Sequence, residues 1–268
     1  MPYLHHDGAD LFFTAEGEGP AVLLLHGWTC DSHDFLFQTP LLLEAGYRVI
    51  ALDQRGHGRS TAPNMPGGYE PEVLAADAIA LLKHLDAAPA VVIGHSMGTI
   101  VASVMSIQHP EVVRALVLIE CSYLFPSAAA AQIYETLQGD DAPEVAAATL
   151  AAVFYTPDTP AWIKTWHRRT TLAVPPHVVR EAFAHIREGR PGYQDQTVEL
   201  LRQRQKPRLA VYQAEESTRI ERELGLEGVD EIKVIEGGSH WPHLQKPKEF
   251  NEILIAWLDQ AGLLPVKN

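Results

Sequence analysis

The residues most ready for chemistry lie at 94–98, where the sequence reads GHSMG. The segment matches the pattern G-x-S-x-G, follows a short apolar run at 90–93 and precedes a helical pattern at 99–109. A serine on a tight strand-to-helix turn is the arrangement of a nucleophile elbow, in which glycines leave room for neighbouring backbone. The pattern predicts Ser96 as a nucleophile and the Met97 backbone N–H as a donor to the reacting centre. A serine-capped helix start is the plainer alternative.

A serine hydroxyl needs a base, and His240 is the best placed of the 13 histidines. It lies in the loop 237–242, which reads GGSHWP and follows the last predicted strand. Histidine has a suitable pKa to take the serine proton at neutral pH. His243 is interpreted as solvated or structural, because Pro242 between the two histidines spoils a helical metal pair. His95, beside the nucleophile, is predicted to be an orienting or core residue that borders the pocket.

The segment 26–28, which reads HGW, comes directly after the first buried apolar run. An oxyanion hole needs a second backbone N–H, supplied by the loop after this strand. Trp28 stands where that donor is expected, and its indole is expected to shape the pocket. A glycine turn beside a core tryptophan is the alternative interpretation.

Short, unbroken apolar runs alternate with helical patterns along much of the chain. Runs without polar alternation are typical of strands covered on both faces. Alternation of strands and helices predicts the α/β class, with a mostly parallel central sheet flanked by helices. The predicted strands are 21–25, 47–52, 90–93, 116–119, 208–212 and 231–235, and the predicted helices beside them are 72–85, 99–109 and 247–261. The segment 10–15 alternates less cleanly and is expected to be an antiparallel edge strand.

The long interval between the strands at 116–119 and 208–212 breaks this rhythm. It contains Ala-rich helical stretches, several with a proline where a first helical turn tolerates one, and no convincing strand. We therefore predict a sheet core formed by 1–121 and 207–268, with 122–206 inserted as a helical cap. The cap helices are predicted at 127–138, 143–154, 160–169 and 176–188. Aromatic residues are expected to line the substrate pocket, namely Tyr123, Trp162, Trp166 and Trp241.

Four motifs together resemble the α/β-hydrolase superfamily over nearly the whole chain. They are HGW at 26–28, DQRGHGRS at 53–60, GHSMG at 94–98 and GSHWP at 238–242. The resemblance implies an α/β-hydrolase fold with an inserted helical cap. It also implies Ser96 as the nucleophile, His240 as the base, and the backbone N–H groups of Trp28 and Met97 as the oxyanion hole. Asp53 and Arg55, within the second motif, are interpreted as structural residues that hold loops in place.

The acid that completes the triad has two candidates. The family's commonest location follows the strand at 208–212, and there Glu216 lies nearest the expected position. A minority of the superfamily places the acid one strand earlier, a position that corresponds to Glu120 in this sequence. In this respect the chain resembles zearalenone-type lactonases and haloalkane dehalogenases. A carboxylate that closes an apolar strand needs a partner, and the His240 imidazole is an obvious one. Glu120 is favoured, since Glu216 lies in a charged stretch that looks like a solvated face. A structural salt bridge is the alternative role for either.

The leading functional hypothesis is a serine hydrolase that cleaves a carboxylic ester or lactone with apolar bulk through an acyl-enzyme. A second hypothesis is cofactor-free ring cleavage, because the chain also resembles the 3-hydroxy-4-oxoquinoline 2,4-dioxygenases in its Gly27-Trp28 pair and in the position of Glu120. In that chemistry His240 would deprotonate the substrate and Ser96 would be dispensable. The third hypothesis is a slow hydrolase that acts as a ligand receptor.

Composition excludes several other classes. The 268 residues carry 34 acidic and 21 basic side chains, a formal charge of −13, which argues against binding to nucleic acid or anionic lipid. Only two cysteines are present, Cys30 and Cys121, too few for a thiolate zinc site, and both are interpreted as free packing thiols. No metal and no cofactor are implied, because phosphate-loop and dinucleotide patterns are absent. We expect a cytoplasmic monomer or homodimer without a membrane anchor, since no signal peptide pattern begins the sequence.

Overall fold

The computed structural model describes residues 2–121, 127–184 and 195–266. Eight strands form one sheet in the order β1-β2-β4-β3-β5-β6-β7-β8. The first two strands run antiparallel to their neighbours, and every pairing from β4 to β8 is parallel. The strands are β1 Tyr3–His6, β2 Ala9–Glu16, β3 Ala21–Leu25, β4 Arg48–Leu52, β5 Ala90–His95, β6 Val113–Ile119, β7 Arg208–Tyr212 and β8 Glu231–Val234. The predicted α/β class with a mostly parallel sheet is confirmed.

Helices cover both faces of the sheet. In the described part of the chain they are α1 Gln38–Glu44, α2 Pro71–His84, α3 Met97–Gln108, α4 Ser127–Thr136, α5 Ala142–Thr149, α6 Ala161–Ala173, α7 Pro176–Ala184, α8 Asp195–Leu201, α9 Arg219–Leu224, α10 Pro242–Gln245 and α11 Pro247–Gln260. A π-helical turn, Leu150–Phe154, continues α5. Within the described ranges no helix is both long enough and apolar enough to cross a bilayer.

Adjacent residues of each central strand supply two separate cores. Leu23 and Val92 pack with α2 and α3 on one face, whereas Leu24 and Ile93 pack with α11 on the other. All four side chains are fully buried. Successive side chains of a strand point to opposite faces, so a strand covered on both sides must be apolar at every position. This is why the unbroken apolar runs identify the strands.

The edge of the sheet differs from the prediction. The segment predicted as an antiparallel edge strand is β2, but β1 lies outside it and pairs with it from Tyr3–Phe12 to His6–Ala9. Asp7 and Gly8 join the two strands, both with positive φ (42° and 75°). An Asp-Gly pair suits a two-residue hairpin turn of this kind. That dipeptide is the signal in the sequence for the missed strand.

The carboxyl ends of the parallel strands meet at one edge of the sheet. His26, Asp53, Ser96, Glu120 and Gln213 each follow directly after one of these strands. Ligands of open α/β sheets bind at this edge. The fold therefore gathers the predicted chemistry in one place.

The helices between β6 and β7 lie against loops at this same edge. The Trp28 indole N–H donates to the Val179 carbonyl of α7 at 3.0 Å, and the Thr29 and Thr171 hydroxyls lie 2.9 Å apart. Four of these helices were expected from the sequence, and the short helix α8 was not. Residues 122–126 and 185–194 lie outside the described residues.

Candidate active site

Ser96 occupies a strained turn between β5 and α3. Its backbone has φ 49° and ψ −114°, a conformation that is costly for a residue with a side chain. A Cβ on Gly94 would collide with the Gly98 carbonyl, and a Cβ on Gly98 would collide with the Leu25 carbonyl. The Ser96 carbonyl accepts bonds from the Thr99 amide at 2.9 Å and the Thr99 hydroxyl at 2.6 Å, which hold the turn in place. Both glycines of the sequence pattern are thus required by close backbone contacts.

His240 lies in the loop between β8 and α10 and is 6% exposed. Its Nδ1 is 3.2 Å from Glu120 Oε2. Its backbone is held on both sides, since its carbonyl accepts from His95 Nε2 at 2.7 Å and its amide donates to the Phe154 carbonyl at 3.3 Å. A carboxylate at Nδ1 favours the tautomer with the proton on that nitrogen, which leaves Nε2 free to accept a proton.

Glu120 closes β6 in a left-handed backbone conformation, with φ 52°. Its Oε1 accepts a 2.6 Å bond from the Gln213 amide, so the carboxylate is held between β7 and His240. A desolvated carboxylate needs such partners, and Glu120 is only 6% exposed. Glu216, the other candidate acid, lies exposed on the short turn Glu215–Thr218. The structure therefore brings Glu120, and not Glu216, to the histidine.

One glutamate of that charged stretch departs from the expected solvated face. Glu221 is fully buried, with its two oxygens 2.8 Å from Arg204 Nη2 and 2.8 Å from Arg208 Nε. Arg208 also pairs with Asp230. Arg204 and Arg208 compensate the buried charge of Glu221. Helical periodicity does not show this pairing, because both arginines lie outside the helix that carries Glu221.

The loop after β3 lies directly against the serine. A Cβ on Gly27 would come within 3.2 Å of Ser96 Cβ and within 2.8 Å of His95 Nδ1, so this glycine permits the close approach. His26 fixes the loop, because its Nδ1–H donates to the Gly27 carbonyl at 2.8 Å and its Nε2 accepts from the Gln54 amide at 2.9 Å. Among the described residues, the backbone N–H of Trp28 has no acceptor, and this amide is available to a ligand.

The segment 53–60 holds the loops around the site. Asp53 accepts bonds from the Ser32 amide and from the Arg59 amide and side chain, each at 2.9 Å. Burial acts to raise the pKa of Asp53, but the Ser32 and Arg59 hydrogen bonds and nearby His26 outweigh it and lower the pKa. Arg55 forms a buried two-pronged pair with Asp77 at 2.7 and 2.8 Å. These contacts are structural, as the sequence indicated.

Three further histidines are buried and held neutral. Burial lowers the pKa of His57 and of His243 to about 3, with neighbouring histidines acting in the same direction. Burial also lowers the pKa of His95 well below its ordinary value, reinforced by His243 and His240. His243 was interpreted as solvated or structural, and the solvated alternative is wrong, because the side chain is fully buried beside the phenyl rings of Phe35 and Phe250.

The predicted pocket residues divide into two groups. Trp241 contacts the histidine, with ring centroids 5.2 Å apart, and so does Phe154, which was not among the predicted pocket residues, at 4.6 Å. Trp162 is 44% exposed and packs on Phe37, and the Trp166 ring packs at a tilt against His33, with centroids 4.4 Å apart. The contacts of these last two tryptophans do not bring them to Ser96 or His240. Tyr123 lies outside the described residues.

Comparison with known proteins agrees with this architecture. The model of the alpha/beta hydrolase family matches residues 22–253. Bifunctional epoxide hydrolase 2 of Sus scrofa is 38% identical over 117 residues, which cover 44% of this chain and 21% of that protein. A non-heme haloperoxidase of Rhodococcus erythropolis is 40% identical over 99 residues, which cover 37% of this chain and 35% of that protein. The matches thus span about a fifth to a third of these relatives' length.

Solved structures resemble the chain over nearly its full length. The enol-lactonase from Burkholderia xenovorans LB400 has a TM-score of 0.83 at 18% identity and covers 96% of this chain and 100% of its own. Est816, an N-acyl homoserine lactone degrading enzyme, has a TM-score of 0.79 at 24% identity, with coverage of 95% and 99%. At these identities the likeness shows the fold. The family model covers most of the chain, and by this match the protein belongs to the alpha/beta hydrolase family.

Proposed function

We propose that this protein hydrolyses carboxylic esters or lactones with apolar bulk, through an acyl-enzyme on Ser96, beneath a cap formed by 122–206. One observation carries the proposal: the buried Glu120 carboxylate lies 3.2 Å from His240 Nδ1, at the sheet edge where the strained Ser96 turn lies. A serine becomes a useful nucleophile only with such an oriented base.

The mechanism uses the chain's own groups throughout. Ser96 Oγ attacks the carbonyl carbon while His240 Nε2 takes its proton, and Glu120 stabilises the imidazolium that forms. The backbone N–H groups of Trp28 and Met97 stabilise the oxyanion of the tetrahedral intermediate. Collapse of the intermediate breaks the C–O bond, and the departing oxygen takes the proton from His240. Water, activated by His240, then attacks the acyl-enzyme and releases the carboxylic acid together with free Ser96.

The substrate class follows from the groups around the histidine. Phe154 and Trp241 place aromatic surface against the His240 ring, and the buried Trp28 ring packs on Phe183 with centroids 4.8 Å apart. Apolar walls with a few aimed polar donors suit an acyl group of aliphatic or aromatic character. The lactone-degrading enzymes among the structural neighbours support this choice, and the epoxide hydrolases among the curated relatives make an epoxide a useful counter-substrate.

The test compares wild type with Ser96→Ala on p-nitrophenyl esters of graded acyl length, several lactones and one aryl epoxide. We expect ester or lactone hydrolysis by wild type and a loss of about 10³–10⁶-fold in kcat for the variant. Retention of most of the ester activity by Ser96→Ala would overturn the acyl-enzyme. Oxygen uptake with a hydroxyquinolone that survives this substitution would favour the His240–Glu120 dyad acting alone in ring cleavage.

A further inference from the structure

Three metal-ligating side chains converge outside the catalytic set. Cys30 and Asp34 come from the segment after β3, and His167 comes from α6. One ligand atom from each residue can be chosen so that all three atoms lie within 4.8 Å of one another. The exposed fractions of Cys30, Asp34 and His167 are 2%, 0% and 0%. Residues from two distant segments of the chain thus place a thiol, a carboxylate and an imidazole in one buried cluster.

The polar atoms of this cluster are poorly satisfied. Asp34 Oδ1 lies 3.3 Å from His167 Nε2, yet among the described residues no donor is aligned for a hydrogen bond to either Asp34 oxygen. Both ring nitrogens of His167 also lack an aligned partner. A fully buried carboxylate in such surroundings is costly unless a positive charge joins it.

We propose that Cys30, Asp34 and His167 bind one divalent transition-metal ion, with zinc as the best match. A thiolate and a carboxylate together neutralise the charge of Zn²⁺, and the neutral imidazole completes a mixed S, O, N set that zinc accepts. The Cys30 thiol gives its proton to solvent as the Zn–S bond forms. Ligand atoms around tetrahedral zinc lie about 3.3–3.8 Å apart, so ligand atoms that are up to 4.8 Å apart need to approach one another by at most about 1.5 Å.

The fourth position of the zinc would be taken by a water molecule, which zinc chemistry allows.

The site would fasten α6 to the loop that carries the oxyanion donor. Cys30 lies two residues after Trp28, and the His167 ring lies 4.1 Å from the Trp241 ring, next to His240. The metal's role in this position is structural, because its ligands do not contact Ser96 or His240. The inference is independent of the proposed hydrolysis, and Ser96→Ala is expected to bind the metal as wild type does.

The test uses the full chain, stripped with a chelator and dialysed against Zn²⁺ or Co²⁺. We expect one equivalent of metal by elemental analysis, release of a proton on binding, and a Co²⁺–thiolate absorption band. Cys30→Ser should abolish the band, and Asp34→Asn and His167→Gln should weaken binding by about tenfold or more. Cys121→Ser is the matched cysteine control, and His5→Ala with His6→Ala removes the surface histidine pair. These controls should retain the full equivalent.

Three results would overturn the site: no metal held by wild type, a thiolate band that persists in Cys30→Ser, or stoichiometry lost on removing His5 and His6. A measurement on the wild type alone tests the site even where a variant fails to fold. Ligand binding to the native state raises the unfolding temperature as the free ligand rises. The melting temperature of the wild type should therefore climb with micromolar Zn²⁺ and return on chelation, and an unchanged melting temperature would also contradict the site.

Discussion

The carboxylate of Glu120 and the imidazole of His240 lie 3.2 Å apart, although the two residues are separated by 120 positions in the chain. Strand β6 delivers one and the loop after β8 delivers the other. The second oxygen of Glu120 is held by the Gln213 amide, so the carboxylate is fixed in the orientation that the histidine needs.

Glu120→Gln is expected to lower kcat by about 10²–10⁴-fold, because the amide no longer holds the required tautomer or stabilises the imidazolium. Steady-state kinetics on the best ester of the panel measures the loss. Glu216→Gln is the matched control, since its side chain is exposed, and its kcat should stay within about twofold of wild type. A large loss in Glu216→Gln with a small one in Glu120→Gln would reassign the acid.

Glu221→Gln is expected to destabilise the fold by about 3–5 kcal/mol, because it leaves Arg204 and Arg208 without their shared buried counter-charge. Urea unfolding followed by circular dichroism measures the change. Glu215→Gln breaks an exposed pair with Arg222 and should cost about 1 kcal/mol or less. Equal effects of the two substitutions would show that the buried network is not what holds this region.

Gly98→Ala is expected to impair both folding and activity, since its Cβ would meet the Leu25 carbonyl, which belongs to a central strand. Gly8→Ala is a useful comparison, because its surroundings are open and the cost is mainly that of the positive φ, about 1–2 kcal/mol. A Gly98→Ala protein as stable as Gly8→Ala, with normal turnover, would contradict the close approach at the elbow. Thermal unfolding and ester kinetics on the two variants decide this.

Acid should weaken the fold partly through His57. Burial lowers the pKa of this histidine to about 3, so between about pH 6.5 and 3 the unfolded chain binds a proton that the folded chain excludes. The free energy of unfolding therefore falls as the pH falls through this window. Between about pH 7 and 4.5, the free energy of unfolding of His57→Asn should fall by about 2 kcal/mol less than that of wild type.

Urea titration at the two pH values measures the free energy of unfolding of wild type and of His57→Asn. A His57→Asn curve parallel to the wild-type curve would mean that His57 does not exclude its proton.

Local patterns in the sequence were sufficient for strands β2 to β8 and for the serine turn, whereas the edge strand β1 was missed. The central strand β3 is identified by a run in which every residue is apolar, and Gly94 and Gly98 mark the elbow because a Cβ at either position would meet neighbouring backbone. Glu120 could be named because a carboxylate at the end of an apolar strand must lie at the sheet edge. These features each depend on one short segment.

Features that depend on contacts between distant segments could not be predicted in the same way. The burial of Glu221 depends on Arg204 and Arg208, which lie 17 and 13 residues earlier in the chain, and the charged composition around Glu221 suggested exposure to solvent instead. Asp34 and His167 gave no local pattern, because the two residues are separated by 133 positions in the chain. The packing of Trp162 and Trp166 away from the histidine likewise depends on how α6 lies on the loop after β3.

The most direct test of the proposed function is covalent trapping of the nucleophile. The protein is treated with a fluorophosphonate, and the adduct is located by intact-mass and peptide mass spectrometry. We predict one adduct per chain, on Ser96, formed more slowly in Glu120→Gln and absent in Ser96→Ala. An unmodified wild-type protein, or an adduct that persists at another residue in Ser96→Ala, would contradict the assignment of Ser96 as the activated nucleophile.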